Sequence, residues 1–284
     1  MTMNLDAAEQ FVLTHGRLLE RIRLAVLLHD ADRDGLLVAL SAYQNPDGGF
    51  GQALEPDVRG PHSETTSTLD ALEQLLDQDA AEHPAVAEAL AWVGTEALPD
   101  GGVPFVLPAT ADYPHAPWMQ PSDGGSHLTF GFAAVGHRVK SDQSWLDGAE
   151  SWSWNLLAHP ERIDGYLLKY ALKFLDAHGD DPRTPAILDQ LKGLVGPDGS
   201  VPVPGGIEDE KLTPLTLSPR PDLPSRALFT ADQIQADLDE LEAGQQADGG
   251  WTFNFAEWCP AQGLDWRGLV TVQALTTLRE HGRS

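Results

Sequence analysis

The residues best suited to chemistry in this chain are crowded into one short loop, residues 54–64. Its proton-donating and charged side chains are Glu55, Asp57, Arg59, His62 and Glu64. The loop leads directly into a predicted helix, so its carboxylates would meet the positive end of a helix dipole. Burial raises the pKa of a carboxyl group, and a neutral carboxylic acid can protonate an alkene. We therefore interpret Asp57, Glu55 and Glu64 as candidate catalytic acids; the alternative is a salt-bridged loop with Ser63 as helix N-cap.

A second candidate segment covers residues 113–127. It contains the aromatic side chains Tyr113, His115 and Trp118, followed by glycines and His127. An aromatic lid can exclude water and stabilise a cation through its π faces. We predict that substrate is bound here and at the first loop, by Arg59, His62, His115, Trp118 and His127. The alternative is a surface loop held in place by its own aromatic residues.

A third candidate segment is the aromatic-rich stretch 251–267. We predict Trp258 and Trp266 as substrate-binding residues, and packing is the alternative role for both. Asp265 and Arg267 flank Trp266 and could pair with each other. Asp265 is the predicted second catalytic carboxylate, and Arg267 a further binding residue. In a ring of helices this segment would lie beside the first loop, which would bring Asp265 towards Asp57.

Metal sites are not expected from the spacing of ligand residues. The chain has one cysteine, Cys259, and contains neither a His-x-x-x-His nor a Cys-x-x-Cys pattern. Five isolated histidines near predicted helix ends are interpreted as surface or capping residues: His29, His83, His137, His159 and His178. The acidic run 208–210 is interpreted as solvated, with metal or amine binding as the alternative. We predict neither a metal nor a cofactor.

The net charge restricts the classes of partner. The 284 residues include 43 acidic and 18 basic side chains, which gives a formal charge of −25. Such a field repels phosphate backbones and anionic lipid, so nucleic-acid and membrane-surface binding are not expected. The first residues lack the basic and apolar regions of a secretory signal, and the longest apolar run is too short to span a bilayer. We expect a cytoplasmic protein without membrane insertion.

A recurring turn organises the elements that must position these residues. The pattern Asp-Gly-Gly, or Asp-Gly-Ser, is followed by an aromatic residue or valine and begins at Asp47, Asp100, Asp198 and Asp248. The steps between them are 53, 98 and 50 residues, so one turn is expected to be missing or disguised near Asp147-Gly148. A period of about 50 residues with helical sequence in between is typical of stacked helical hairpins.

The apolar residues between the turns recur at helical spacing, and period-2 alternation is nearly absent. The spacing predicts about eleven helices, with two long Pro- and Gly-rich loops at residues 98–125 and 196–225. The aromatic stripe Tyr166, Tyr170 and Phe174 is interpreted as core, with a binding wall as the alternative. We predict an all-α fold: one (α/α) toroid domain over residues 1–284, with five to six hairpins and its long loops at one end. An open solenoid is the alternative.

Two of the turns carry a further feature, a glutamine before the Gly-Gly-aromatic triplet. These are the stretches Gln44-Asn45-Pro46-Asp47-Gly48-Gly49-Phe50 and Gln246-Ala247-Asp248-Gly249-Gly250-Trp251. They resemble the QW-type repeat of squalene–hopene cyclases and the related repeat of protein prenyltransferase β subunits, which belong to the terpenoid cyclase superfamily. The resemblance implies an (α/α) toroid around an apolar central cavity.

The catalytic motifs of those families are absent. No Asp-x-Asp-Asp acid motif occurs, and Asp180-Asp181-Pro182-Arg183-Thr184 lacks the last carboxylate of the Asp-Asp-x-x-Asp magnesium motif. Cys259 is the only residue that could match the zinc cysteine of the prenyltransferases, and no histidine closely follows it. The resemblance therefore implies a fold and a cavity rather than a named reaction.

These observations lead to one preferred function and two alternatives. The preferred function is a terpenoid cyclase- or prenyltransferase-like enzyme that cyclises or isomerises a small apolar, isoprenoid substrate after protonation. Asp57 or Glu55 would be the acid, and Trp118, Trp258 and Trp266 would shield cationic intermediates. The alternatives are a non-catalytic binding module on the same toroid and a carbohydrate-active (α/α)-barrel enzyme.

Overall fold

The computed structural model describes residues 3–283, and helices dominate it. The α-helices are α1 (Leu5–His15), α2 (Leu18–His29), α3 (Asp34–Ser41), α4 (Thr65–Asp77), α5 (Pro84–Glu96), α6 (Leu128–Arg138), α7 (Trp145–Leu157), α8 (Gly165–Ala177), α9 (Thr184–Leu191), α10 (Pro214–Leu217), α11 (Ala231–Ala243) and α12 (Pro260–Glu280). Strands β1 (Val201–Pro202) and β2 (Lys211–Leu212) form a small antiparallel hairpin. Across the described residues the fold is all-α apart from this hairpin, as the sequence predicts.

The chain divides into two compact units. The first combines Met1–Ala39 with Leu191–Ser284, and the second is Leu40–Gln190. In the first unit, α12 packs against α1, α2 and α11. The buried core of this unit comprises residues from both ends of the chain: Ala8, Phe11, Val12, Leu24, Leu215, Leu238, Trp251, Val272, Ala274, Leu275 and Leu278. The first and last hairpins are thus neighbours, as a closed ring requires; the complete toroid and its single-domain character stay predictions.

Helix α6 lies at the centre of the second unit. It packs against α4, α7 and α8. Every residue from Leu128 to Gly136 is buried, including the hydroxyl-bearing Thr129. This segment is apolar on all sides, and a helix of that kind is stable only when it is surrounded by other elements. Helix α6 therefore helps to position α4, which begins directly after Glu64, and α8, which carries Lys169.

The four recurring turns share one hydrogen-bonding pattern. In each turn the aspartate Oδ1 accepts a hydrogen bond from the backbone N–H two residues later, at 2.9–3.2 Å, for Asp47, Asp100, Asp198 and Asp248. The residue after the aspartate is a glycine with φ between 85° and 94°. Glycine adopts this left-handed conformation at no steric cost, and aspartate caps its own turn, which explains the repeated Asp-Gly pair.

Three of these turns are also tied to a later helix by a threonine. The backbone N–H of Phe50 donates to Thr68 Oγ1 at 2.9 Å, and that of Val103 donates to Thr129 Oγ1 at 2.8 Å. The N–H of Trp251 donates to Thr271 Oγ1 at 2.9 Å. Because all three threonines are buried, loss of a hydroxyl would leave a buried donor without its acceptor.

Two of the turn glycines lie directly against the backbone of a neighbouring helix. A Cβ added to Gly101 would lie 2.2 Å from the carbonyl oxygen of Gly148 in α7. A Cβ added to Gly249 would lie 2.2 Å from the carbonyl oxygen of Ala7 in α1. The glycines are therefore required twice, for the positive φ and for the close approach.

The structure corrects three details of the sequence prediction. Asp147 and Gly148 lie inside α7, so no turn is disguised there. Ser63 does not cap α4: the N-cap is Glu64, and the Ser63 hydroxyl donates to Asp47 Oδ1 at 2.7 Å. The second long loop contains the β-hairpin because β1 and β2 are too short for alternation to reveal them.

Among residues 3–283, no helix is both long and apolar enough to cross a bilayer.

Candidate active site

The first two candidate segments lie side by side in the second unit. Val58 and His115 form an isolated antiparallel bridge. The N–H of Ala116 donates to the carbonyl oxygen of Asp57 at 2.8 Å, and that of Arg59 donates to Pro114 at 3.0 Å. The structure thus brings together two loops that are more than fifty residues apart in the sequence.

Asp57 and Trp118 meet through their side chains. Asp57 is 5% exposed, and its Oδ2 accepts a hydrogen bond from Trp118 Nε1 at 3.2 Å. The Asp57 N–H in turn donates to Glu55 Oε1 at 3.2 Å. The Trp118 indole is 39% exposed and therefore covers a buried carboxylate while one part of it faces solvent. Three predicted site residues consequently form one connected group.

The two predicted histidines of these loops lie towards the surface. His62 is exposed and makes an edge-on ring contact with Tyr113 at 5.1 Å. His115 is half-buried, and its Nδ1 lies 2.7 Å from the carbonyl oxygen of Tyr113. A cleft of about 450 Å³ opens beside His62 and Leu107, and most of its lining residues are polar, including Asn45, Asp47, Gln52, Ser63 and Glu96. This cleft does not suit an apolar ligand.

Glu64 is a buried acid at the start of α4. Its side chain is 2% exposed, and its oxygens accept hydrogen bonds from the Thr110 hydroxyl and from the Leu107 N–H at 3.1 Å. Burial raises the pKa of the Glu64 carboxyl from 4.5 to about 7. The hydrogen bonds from Thr110 and Leu107 lower this pKa, but desolvation outweighs them. Glu64 is therefore close to half-protonated at neutral pH.

Helix α8 presents a polar and aromatic face that the sequence prediction missed. Tyr166, Lys169, Tyr170 and Lys173 follow each other at steps of three, one and three, which places them on neighbouring positions of one helix surface. Lys173 Nζ bonds both carboxylate oxygens of Glu73 at 2.6 and 2.7 Å. The same ammonium lies 4.7 Å from the centre of the Tyr170 ring. Lys173 is thus neutralised by an ion pair.

His127 lies next to this face, just before α6. Its ring centroid is 4.8 Å from those of Phe105 and Tyr170. Burial lowers the pKa of His127 to about 3, and the positive charges of Lys169 and Lys173 lower it further. His127 is consequently a neutral imidazole at physiological pH, and the sequence predicted it as a binding residue.

Lys169 differs from Lys173 in its surroundings. Its Nζ lies 5.9 Å from the ring centres of both Tyr166 and Tyr170. Burial lowers the pKa of Lys169 to about 8, with a further contribution from Lys173. Among residues 3–283 no carboxylate lies within ion-pair distance of it. A desolvated ammonium in this state gains free energy when it receives an anionic or hydrogen-bond-accepting group.

The remaining predicted residues lie in the first unit. The Arg267 guanidinium donates to both carboxylate oxygens of Asp248 at 2.8 Å and covers the Phe11 ring at 4.5 Å. Arg267 therefore holds the fourth turn, which is a structural role.

Trp266 contacts Phe255 edge-on at 5.1 Å. Trp258 and Asp265 belong to the same unit, and their predicted roles, like the approach of Asp265 to Asp57, stay predictions.

The aromatic stripe of α8 has two parts. Phe174 is fully buried and contacts Phe130 and Trp154, so its interpretation as core agrees with the structure. Tyr166 and Tyr170 are only half-buried and belong to the polar face. The sequence signal for this polar face is the pair Lys169 and Lys173, which alternates with the two tyrosines along the helix.

The chain was compared with protein families and known proteins. No protein-family model matches the sequence, and no curated protein matches it. Several solved structures are similar in fold. A protein from Actinoplanes has a TM-score of 0.58 and 16% identity, over 96% of this chain and 98% of that one. A variant of type II terpene cyclase MstE from Scytonema, in complex with geranylgeranyl dihydroxybenzoate as substrate, has a TM-score of 0.58 and 12% identity, over 97% and 96%.

The apo form of MstE aligns with a TM-score of 0.53 and 12% identity, over 97% of each chain. The alignments cover nearly the whole chain at very low identity. They show that this protein has a terpene cyclase-like fold.

Proposed function

We propose that this protein is a terpene cyclase-like enzyme that converts an isoprenoid substrate by protonation, with Glu64 as the proton donor. The observation that carries the proposal is the buried Glu64 carboxyl with a pKa of about 7, at the start of α4. A general acid works best when its pKa lies near the operating pH, because it is then both protonated and able to give up its proton. The terpene cyclase-like fold supports the same proposal.

The reaction is an isomerisation in which atoms and charge balance. Glu64 donates its proton to one carbon of an alkene, and the π electrons form the new C–H bond. The resulting carbocation is attacked by a second alkene when a ring forms, and a C–H proton is finally lost to a base. The substrate and the product therefore have the same mass. Aromatic faces such as Trp118, beside Asp57, can stabilise the cation.

Glu64 is supported more strongly than the acids that the sequence favoured. Burial raises the pKa of Glu64, whereas Asp57 accepts a hydrogen bond from Trp118. Glu55 accepts a bond from the Asp57 N–H. We assign these two carboxylates to the stabilisation of positive charge and the acid to Glu64. Turnover of geranylgeranyl dihydroxybenzoate by the wild-type protein and by Glu64→Gln tests this assignment.

We further propose that the substrate carries an anionic or phenolic head group, which binds at Lys169. The support is the desolvated Lys169 ammonium between two tyrosine rings, without an ion-pair partner among the described residues. MstE binds a geranylgeranyl chain attached to dihydroxybenzoate. A substrate of this class offers a carboxylate to Lys169 and an apolar chain for protonation.

Replacement of Lys169 with methionine is expected to weaken substrate binding selectively. We expect KM for geranylgeranyl dihydroxybenzoate to rise about 10- to 100-fold, because a charge-assisted hydrogen bond is lost. KM for the analogue without the carboxylate should change less than about threefold. Steady-state kinetics with both compounds measure the difference.

The control is Lys140→Met, which removes an exposed positive charge from the same unit. It should leave both KM values unchanged. Equal effects of Lys169→Met on the two compounds would contradict this role.

A non-catalytic binding module is the second candidate function. The observation in its favour is that both Glu64 oxygens already accept hydrogen bonds from the 107–110 loop, an arrangement that also serves stability alone. The two functions differ in one result: a binding module would show no turnover in the wild-type protein.

A further inference from the structure

Three potential metal ligands meet in the second unit, away from Glu64 and Lys169. They are His137 in the last turn of α6, Glu150 in α7 and His178 at the C-terminus of α8. Glu150 Oε1 lies 3.6 Å from His137 Nδ1 and 3.4 Å from His178 Nε2. The three ligand atoms lie within 4.8 Å of one another, and no other such group occurs among residues 3–283.

These distances fit a tetrahedral metal ion. Zinc binds imidazole nitrogen and carboxylate oxygen at about 2.0–2.2 Å, so two of its ligands in tetrahedral geometry lie roughly 3.3–3.5 Å apart. The distances of 3.4 and 3.6 Å from Glu150 are close to this value. The two distances from Glu150 therefore match those between ligands of one ion.

The His178 ring is already oriented for a metal. Its Nδ1 lies 2.9 Å from the carbonyl oxygen of Phe174, which accepts a hydrogen bond from that nitrogen when it is protonated. The lone pair of the neutral ring is then on Nε2, which is the nitrogen that faces Glu150. A backbone carbonyl in this position is the usual outer partner of a metal-binding histidine. The ring is 5% exposed and contacts His137 at 3.8 Å and Phe174 at 4.1 Å between centroids.

The surrounding charges do not oppose a cation. Arg183 interacts electrostatically with Glu150 and lies 3.6 Å from the centre of the Trp154 ring. Both carboxylate oxygens of Asp181 accept hydrogen bonds from Arg183, so its positive charge is paired. His137 and Glu150 are 47% and 38% exposed, which gives an ion access from solvent.

We propose that His137, Glu150 and His178 bind one zinc ion, with water as the fourth ligand. A ligand set of two histidines and one carboxylate favours zinc over magnesium or calcium. Because the ligands come from α6, α7 and α8, the ion would join three helices of the second unit. This site is independent of the proposed catalytic function, and an ion that binds only the folded chain would stabilise it.

The test is a zinc titration of the full chain without a histidine tag, after removal of metals with a chelator. Isothermal titration calorimetry should show one zinc ion per chain, and Co²⁺ should develop the visible absorption of a tetrahedral site. Saturating zinc should raise the thermal midpoint by about 5 °C or more, since a ligand that binds only the folded state stabilises it.

The variants decide the ligand assignment. His137→Ala and Glu150→Gln change exposed side chains, so the chain should fold in both while one-to-one zinc binding is lost. His178→Ala should lose it too. His159→Ala is the matched control, because His159 also lies beside a glutamate, Glu161, at 3.3 Å but has no third ligand in the described part of the chain. Its zinc binding should equal that of the wild type. Absence of zinc binding by the wild-type protein, or undiminished binding by His137→Ala and Glu150→Gln, would overturn the proposal.

Discussion

Glu64→Gln is expected to lower kcat for geranylgeranyl dihydroxybenzoate by at least about 100-fold, because general acid catalysis contributes 10²–10⁴ to a rate. Glutamine has the shape of glutamate, and its carbonyl oxygen can still accept the hydrogen bonds from Thr110 and Leu107. It cannot donate a proton to an alkene. In the wild-type protein, the rate should fall as the pH rises through about 7, where the Glu64 carboxyl loses its proton. Product analysis by liquid chromatography and mass spectrometry measures both effects.

The stability of the same variant separates a chemical effect from misfolding. A carboxyl whose pKa is raised from 4.5 to about 7 binds more protons in the folded state than in the unfolded state over this range. The stability that protonation provides is therefore full below pH 4.5 and is lost as the pH rises to 7, by about 3 kcal/mol. Glu64→Gln lacks this loss. At pH 8 it should be at least as stable as the wild type in urea unfolding.

The matched control is Glu96→Gln, which removes the neighbouring carboxylate that raises the Glu64 pKa by charge repulsion. Its kcat should stay within about threefold of the wild-type value, because Glu96 does not donate the proton. Wild-type turnover by Glu64→Gln, or an equal loss in both variants, would rule out Glu64 as the acid.

The second large effect is expected at the fourth turn. Gly249→Ala should lower the free energy of unfolding by about 3 kcal/mol or more, because alanine is strained at positive φ and collides with a helix backbone. The φ of Gly249 is 93°, and the new Cβ would lie 2.2 Å from the Ala7 carbonyl oxygen. Helix α1 would have to move away from the turn, and the packing of α1 on α12 would be disturbed. Urea unfolding of the two proteins measures the loss.

Gly282→Ala is the control for backbone strain alone. Gly282 also has a positive φ, of 70°, but a Cβ added there meets nothing within 4 Å. Its cost should be about 1 kcal/mol, the price of the left-handed conformation for alanine. If Gly249→Ala were no more destabilising than Gly282→Ala, the close approach of the turn to α1 would not contribute to stability.

The sequence predicted those parts of the fold that are determined by residues close together in the chain. The Asp-Gly turns set their own geometry through side chain and backbone, so Asp47 and Asp248 were recognisable without tertiary contacts. The threonine contacts were not recognisable, because Thr68 and Thr271 lie 18 and 20 residues beyond the N–H groups that they bind. The Asp147-Gly148 pair resembled one of these turns in sequence, although it lies inside α7.

The candidate site was predicted in part for the same reason. The crowding of polar residues in the loop before a predicted helix identified both Asp57 and Glu64 as candidates. The ammonium of Lys169 was missed because its character depends on desolvation by the folded chain and on two tyrosines of its own helix. The His137, Glu150 and His178 cluster was missed because its ligands come from three helices, so no short spacing records it.

The measurement that tests the central claim most directly is the reaction of geranylgeranyl dihydroxybenzoate in D₂O, with the product analysed by mass spectrometry. If an enzyme acid in exchange with solvent starts the reaction, the wild-type product is an isomer of the substrate that carries one deuterium. Glu64→Gln should then give no labelled product. A wild-type product without deuterium, or a labelled product formed equally fast by Glu64→Gln, would contradict protonation by Glu64.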